Sequence, residues 1–190
     1  MKKVSIIALA FSVFVISAFS ALEDKLVTKD AHISFYSHTP VEDIVANNYK
    51  VVSTINTTSG DVVFSVPMQS FEFEKALMQK HYNSADFLDT KNFPKSKFTG
   101  KITNLTDVNF KKDGTYAVTI KGNLTIKEDT KPMTEKATIT VTGNKVSLDS
   151  KMKVTLGDFG ITFTKGKPST NIAKDVEVTL KAVYQNNTSL

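Results

Sequence analysis

Residues 116–126 alternate without a break. Tyr116, Val118, Ile120, Gly122, Leu124 and Ile126 fall on one side, and Ala117, Thr119, Lys121, Asn123 and Thr125 on the other. A period of two is the pleat of a β-strand, and one apolar face means the strand is half buried. The pattern returns at Val146, Leu148, Ser150, Met152, Val154 and Leu156, then at Val176, Val178, Leu180, Ala182 and Tyr184. Shorter versions occur at Ala31–Phe35, Val51–Thr57, Val62–Val66, Phe98–Ile102 and Ala137–Val141.

Turn residues separate these runs. Ser59-Gly60-Asp61, Asp113-Gly114 and Gly143-Asn144 read as strand links. Pro132 is placed in a connection, and Gly166–Pro168 in another. Eight or nine strands with short links predict an all-β antiparallel meander, because parallel strands need long crossovers.

One stretch breaks the alternation. Phe73, Leu77, Met78, His81, Tyr82 and Ala85 recur at helical spacing, with Glu72, Glu74, Lys75, Gln79 and Lys80 on the other side. A short amphipathic helix is expected near Glu74–Asn83, capping one end of the sheet or lying across it.

Half-buried strands bury their apolar faces in a sandwich or in a closed barrel, and periodicity alone does not separate the two. Strands near ten residues long, linked in sequence, favour the barrel. So do Gly100, Gly122 and Ser150, small residues on apolar faces that leave room inside. A barrel of eight strands fills its interior with side chains or holds one small ligand.

The N-terminus begins Met1-Lys2-Lys3 and continues apolar or small to Phe19, with Ala18 and Ser20 at its end. That is the layout of a secretory signal peptide, expected over residues 1–20, with the domain over residues 21–190. A periplasmic or secreted location follows. There is no cysteine, which removes disulfides and thiolate chemistry. Without Lys2 and Lys3 the balance is 22 basic against 19 acidic residues. All the basic residues are lysines, scattered along the chain, so no nucleic-acid stripe appears.

Catalytic signatures are missing: no nucleophile elbow, no P-loop and no dinucleotide fingerprint. His32, His38 and His81 lack carboxylates at ligand spacing, so no metal is expected, and no cofactor. His81 with Asp86 or Asp89 is the one acid–base constellation an enzyme could use, and turn roles suit those aspartates better. The chain is not expected to be an enzyme.

Aromatic residues are concentrated instead. Phe71, Phe73, Tyr82, Phe87, Phe93 and Phe98 fall within 28 residues, and Phe159 and Phe163 bracket Ile161 later. Such rings build either a packed core or the stiff wall of an apolar tunnel. The tunnel reading makes Phe64, Phe71, Phe73, Leu77, Met78, Phe87, Phe98, Phe159 and Phe163 its lining, with His81 and Tyr82 near the mouth. The packed-core reading leaves a structural or stress-response barrel with no ligand.

The order of these elements resembles the YceI-like family of polyisoprenoid-binding proteins. The residues that carry the likeness are Ser70-Phe71, Leu77–Tyr82, Phe87-Leu88-Asp89, Asn92-Phe93-Pro94 and Phe98-Thr99-Gly100. Gly122–Ile126, Thr130-Lys131-Pro132 and Asp158-Phe159-Gly160-Ile161 continue it. The resemblance implies an eight-stranded antiparallel, lipocalin-like barrel in the periplasm. It implies an isoprenoid-like or other long-chain lipid, such as a quinone or a polyprenyl compound, in the interior. A homodimer and transient membrane contact are compatible with it. Lys75 and Lys80 stand in the helix region where the family often has an arginine.

Overall fold

The computed structural model describes residues 24–40, 42–162 and 173–185. Among them are nine strands: β1 (Lys25–His38), β2 (Asp43–Asn56), β3 (Asp61–Pro67), β4 (Glu72–Phe73), β5 (Lys95–Ile102), β6 (Gly114–Ile126), β7 (Asp129–Thr142), β8 (Lys145–Thr155) and β9 (Asp175–Gln185). Helix α1 spans Ala76–Asn83.

Eight of the strands run β1-β9-β8-β7-β6-β5-β3-β2, and β2 pairs back to β1, so the sheet closes into an antiparallel barrel. The ninth, β4, is a two-residue patch pairing with Ala46 and Asn47 of β2. Alternation predicts the inward faces correctly. Val118 and Ile120 on β6, Val146 and Leu148 on β8, and Leu180, Ala182 and Tyr184 on β9 are all buried.

Side chains and left-handed turns set the links. Asn56 Oδ1 accepts from the backbone N–H groups of Thr58 and Ser59, and Gly60 follows at φ 77°. Gly143, at φ 56°, turns β7 into β8. Glycine suits both, having no Cβ to clash at positive φ.

Two placements differ from expectation. Pro132 lies inside β7, opposite Asn123 of β6, and the hairpin turns at Lys127-Glu128 instead. β8 pairs with β7 only over Ala137–Thr142, so Pro132 sits on an open strand edge, where a missing N–H is tolerated. The helix starts at Ala76, because Phe73 is drawn into the sheet opposite Ala46. Gly166–Pro168 lies outside the described residues.

The interior divides into two halves. At one end Leu26, Val51, Ile55, Val62, Ile102, Ile139, Val141, Val146 and Tyr184 are at most 3% exposed and fill the bore. Tyr184 and Ser53 share a buried hydroxyl–hydroxyl hydrogen bond of 2.6 Å there. At the other end, under α1 and the β1–β2 connection, the bore is hollow.

Candidate functional site

The hollow half is a cavity of about 660 Å³. β3 and β5 contribute Phe64 and Phe98, which are cross-strand partners. Phe98 takes its place for a local reason. Gly100 and Gly122 face each other across β5 and β6, and the Phe98 ring lies against both. A Cβ on Gly122 would stand 2.7 Å from that ring and 2.5 Å from the Gly100 Cα. The two glycines therefore do not leave empty space. They let a ring lie flat on the wall, which keeps the bore open.

Phe35, Phe71, Phe73 and Tyr82 form the opposite wall as a ring cluster. Phe35 lies 5.4 Å from Phe71, 5.8 Å from Phe73 and 6.1 Å from Tyr82, between centroids. Phe73 and Tyr82 are 5.0 Å apart. Offset and edge-on rings at such distances attract one another beyond their area burial. Met78 and His81 of α1 and Phe87 beyond it complete the roof. A polar knot fixes that roof: Thr90 Oγ1 donates to Asn83 Oδ1 at 2.7 Å, and Gln69 Nε2 donates to the Thr90 carbonyl at 3.1 Å.

Eight of the expected lining residues therefore come together: Phe64, Phe71, Phe73, Met78, His81, Tyr82, Phe87 and Phe98. Three do not. Leu77 is 63% exposed, because the buried stripe of α1 runs through Met78 and Tyr82 and Leu77 falls off it. Phe159 is buried in the core, while Leu156 and Ile161 at the two ends of its turn form the cavity wall. Phe163 lies outside the described residues.

Tyr82 is not at the mouth. It is 6% exposed, its hydroxyl meets Met68 Sδ at 4.0 Å, and burial pushes its pKa far above the usual phenol range. It stays neutral and acts as wall. His81 is exposed at the rim, with no hydrogen bond to Asp86 or Asp89 among the described residues. Asp89 instead holds a turn, its carboxylate accepting from Asn92 Nδ2 at 2.8 Å. The other histidines are on the outer face of β1. His32 stacks on Tyr49 at 4.5 Å, and His38 pairs with Asp43 at 2.6 Å. Among the described residues no cluster of three His, Asp or Glu side chains could hold a metal.

Ionic and polar pins cross the mouth. Lys75, just before α1, pairs with Glu42 of the β1–β2 connection. Lys127 donates to the Phe87 carbonyl at 3.2 Å, with its ammonium 5.6 Å from the Phe93 ring.

Lining residues that escape the sequence reading include Phe35 and Glu135. Phe35 appears there only as a strand residue. Glu135 sits in a polar-looking run, yet counting back by twos from Val141, Ile139 and Ala137 reaches it. It is the signal that could have found this carboxylate on the cavity wall, where burial raises its pKa.

Known proteins share both sequence and fold. The chain is 30% identical over 162 residues to the protein YceI of Escherichia coli O157:H7, covering 82% of this chain and 71% of that one. It is 32% identical over 112 residues to a UPF0312 protein of Pseudomonas putida (strain W619), covering 56% of this chain. The match spans about half of that curated relative, 53% of its length. Among solved structures, a polyisoprenoid binding domain from Saccharophagus degradans superposes with a TM-score of 0.71 at 8% identity, over 85% of this chain and 98% of that one. BcnA of Burkholderia cenocepacia gives 0.64 at 16%, over 80% and 95%. These structural likenesses are of fold. The family model of the YceI-like domain matches residues 25–184, nearly the whole described barrel, and the chain belongs to the YceI-like family.

Proposed function

We propose that this chain binds a long-chain, isoprenoid-type lipid in the hollow half of its barrel and has no catalytic role. The observation that carries this is the 660 Å³ cavity, walled by phenylalanine, methionine and aliphatic side chains. Its volume is typical of small-molecule sites. At roughly 30 Å³ per methylene-sized group, taken as the share of a liquid water, it holds on the order of 20 such groups. Each buried methylene contributes ~0.8 kcal/mol, so a tail alone suffices for tight binding.

The structural neighbour from Saccharophagus degradans is a polyisoprenoid binding domain, which supports the same ligand class. A quinone or a polyprenyl compound fits that class. Residues 1–20 carry the export signal, so the work is done in the periplasm or outside the cell. Leu77 is exposed beside Lys80 on the roof helix, and in this reading it touches a bilayer as the tail passes.

The test is native mass spectrometry and organic extraction of the protein purified from a lipid-replete host. A copurifying lipid of isoprenoid type is expected. Repeatedly empty protein that also fails to take up a quinone or a polyprenol overturns the proposal.

A further inference from the structure

One charged side chain lines the cavity from strands β6 to β9. The residues these strands contribute to the cavity wall are otherwise apolar or Ser150, and the exception is Glu135 on β7. It stands opposite Ile120, and Leu148, Ser150 and Met152 line the cavity from β8.

Its carboxylate has no hydrogen-bond or ion-pair partner among the described residues. Ser150, the hydroxyl that lines the cavity from β8, already donates to the Lys136 carbonyl at 3.0 Å. Burial is the single cause of the raised pKa, with no neighbouring charge contributing. A carboxylate in an apolar wall carries a desolvation cost unless a donor reaches it. Glu135 is half-buried in the empty protein, so a chain filling the cavity removes its remaining water, and a donor on that chain meets the need.

Position makes this a recognition site. The ladder between β7 and β8 ends at Ala137 and Ser150, two residues from Glu135. Below that pair β7 bonds only to β6, and β8 only to β9. The carboxylate therefore lies in the wall where the two strands part, away from the rim where His81 stands.

We propose that Glu135 anchors the polar end of the bound chain and selects lipids whose end group donates hydrogen bonds, an alcohol or an amine, over carboxylic acids. This deepens the lipid-binding proposal above and rests on it. A hydroxyl donates one hydrogen bond to the carboxylate; an ammonium donates one and adds opposite charge. An ionised acid meets like charge at Glu135, which has no ion-pair partner among the described residues.

Three chains of equal length separate these cases: hexadecanol, hexadecylamine and palmitate. Each displaces N-phenyl-1-naphthylamine from the delipidated full-length mature protein at pH 7.5, for wild type, Glu135→Gln and Glu135→Met. Wild type is expected to hold the amine and the alcohol at least tenfold tighter than palmitate. Both variants lose most of that ratio, mainly because palmitate gains. Circular dichroism melting verifies that the variants are folded, and the isosteric glutamine is the conservative arm. Equal affinities for the three chains in wild type, or an unchanged ratio in folded variants, overturn the anchor while the carrier stands. Failure of every chain and of the dye to bind any of the proteins overturns the carrier, and the anchor with it.

Discussion

The two ends of this barrel are made by the same strands and differ in what occupies the bore. At the filled end the inward residues are compact aliphatics, Val51, Ile55, Ile102, Ile139 and Val146, closed by Tyr184. At the hollow end phenylalanines and methionines join the aliphatics along the walls. Strand pairing differs too. Near the hollow end the β7–β8 ladder stops at Ala137 and Ser150. The β2–β3 ladder stops at Val52 and Ser65, and Asn48 bridges the break by donating to the Pro67 carbonyl at 2.8 Å. The filled end has a break as well, since β1 and β9 pair only over His32–Tyr36. A gap in the ladder therefore does not make a cavity. Tyr184 fills the space at one end, and at the other the rings lie back on their own strands.

The comparison breaks most sharply on deletion of side-chain volume. Ile139→Ala at the filled end is expected to cost about 2–5 kcal/mol, because the jigsaw around it cannot collapse. Urea unfolding of the delipidated protein reads this as a shift in midpoint at constant slope.

Next in size is Gly122→Ala. The added carbon would meet the Thr99 carbonyl at 2.4 Å and the Gly100 Cα at 2.5 Å, both backbone, so relief by a rotamer change is blocked. A loss of about 3 kcal/mol is expected, at the upper end of overpacking costs. Lipid binding falls as well, because Phe98 is pushed into the bore. A variant with normal stability but weakened binding would place the glycine pair in ligand contact rather than in wall packing.

Tyr184→Phe follows. It leaves Ser53 Oγ, fully buried, without its partner, and is expected to cost about 1–3 kcal/mol. Adding Ser53→Ala should restore most of the loss, since both polar partners are then gone. A double-mutant cycle without that recovery would mean the loss does not come from an orphaned Ser53 hydroxyl.

How far these differences could be read in advance depends on the strand. β6, β8 and β9 declare their inner faces by alternation, and the Gly143 hairpin declares a link. The first half of β7 hides, because Asp129-Thr130-Lys131-Pro132 has the composition of a loop and Glu135 looks like surface. Closure of the sheet and the short helix were both legible. The bore itself was not: a phenylalanine folded against a glycine pair and one pointing to the barrel axis have the same letter. Leu77 illustrates the same limit, since helical spacing identifies a stripe but not which edge of it tertiary packing buries.

A smaller effect sharpens the contrast. Met78→Ala, on the half-buried roof of the cavity, is expected to cost no more than about 1 kcal/mol of stability, because little packed area is lost. Its signature lies in binding, with faster release of a hexadecanol probe. If Met78→Ala destabilises the empty protein as much as Ile139→Ala, the roof is core and the cavity is closed in solution.

The smallest expected change is in pH dependence, and it reports on the empty state of the hollow end. Burial raises the Glu135 pKa in the fold, so the folded protein holds this proton at pH values where the unfolded chain has lost it. The stability it contributes is fully present below the ordinary glutamate pKa, and is lost as pH rises through the raised folded value. Other carboxylates shape the whole curve, so the quantity to follow is the melting difference between Glu135→Gln and wild type. That difference should favour the variant increasingly as pH rises from 4 to 8. Saturating hexadecylamine should shrink it, because the ammonium stabilises the ionised form. A difference flat in pH would mean that water reaches this carboxylate as freely as it does in the unfolded chain, and the wall around it would then be wet.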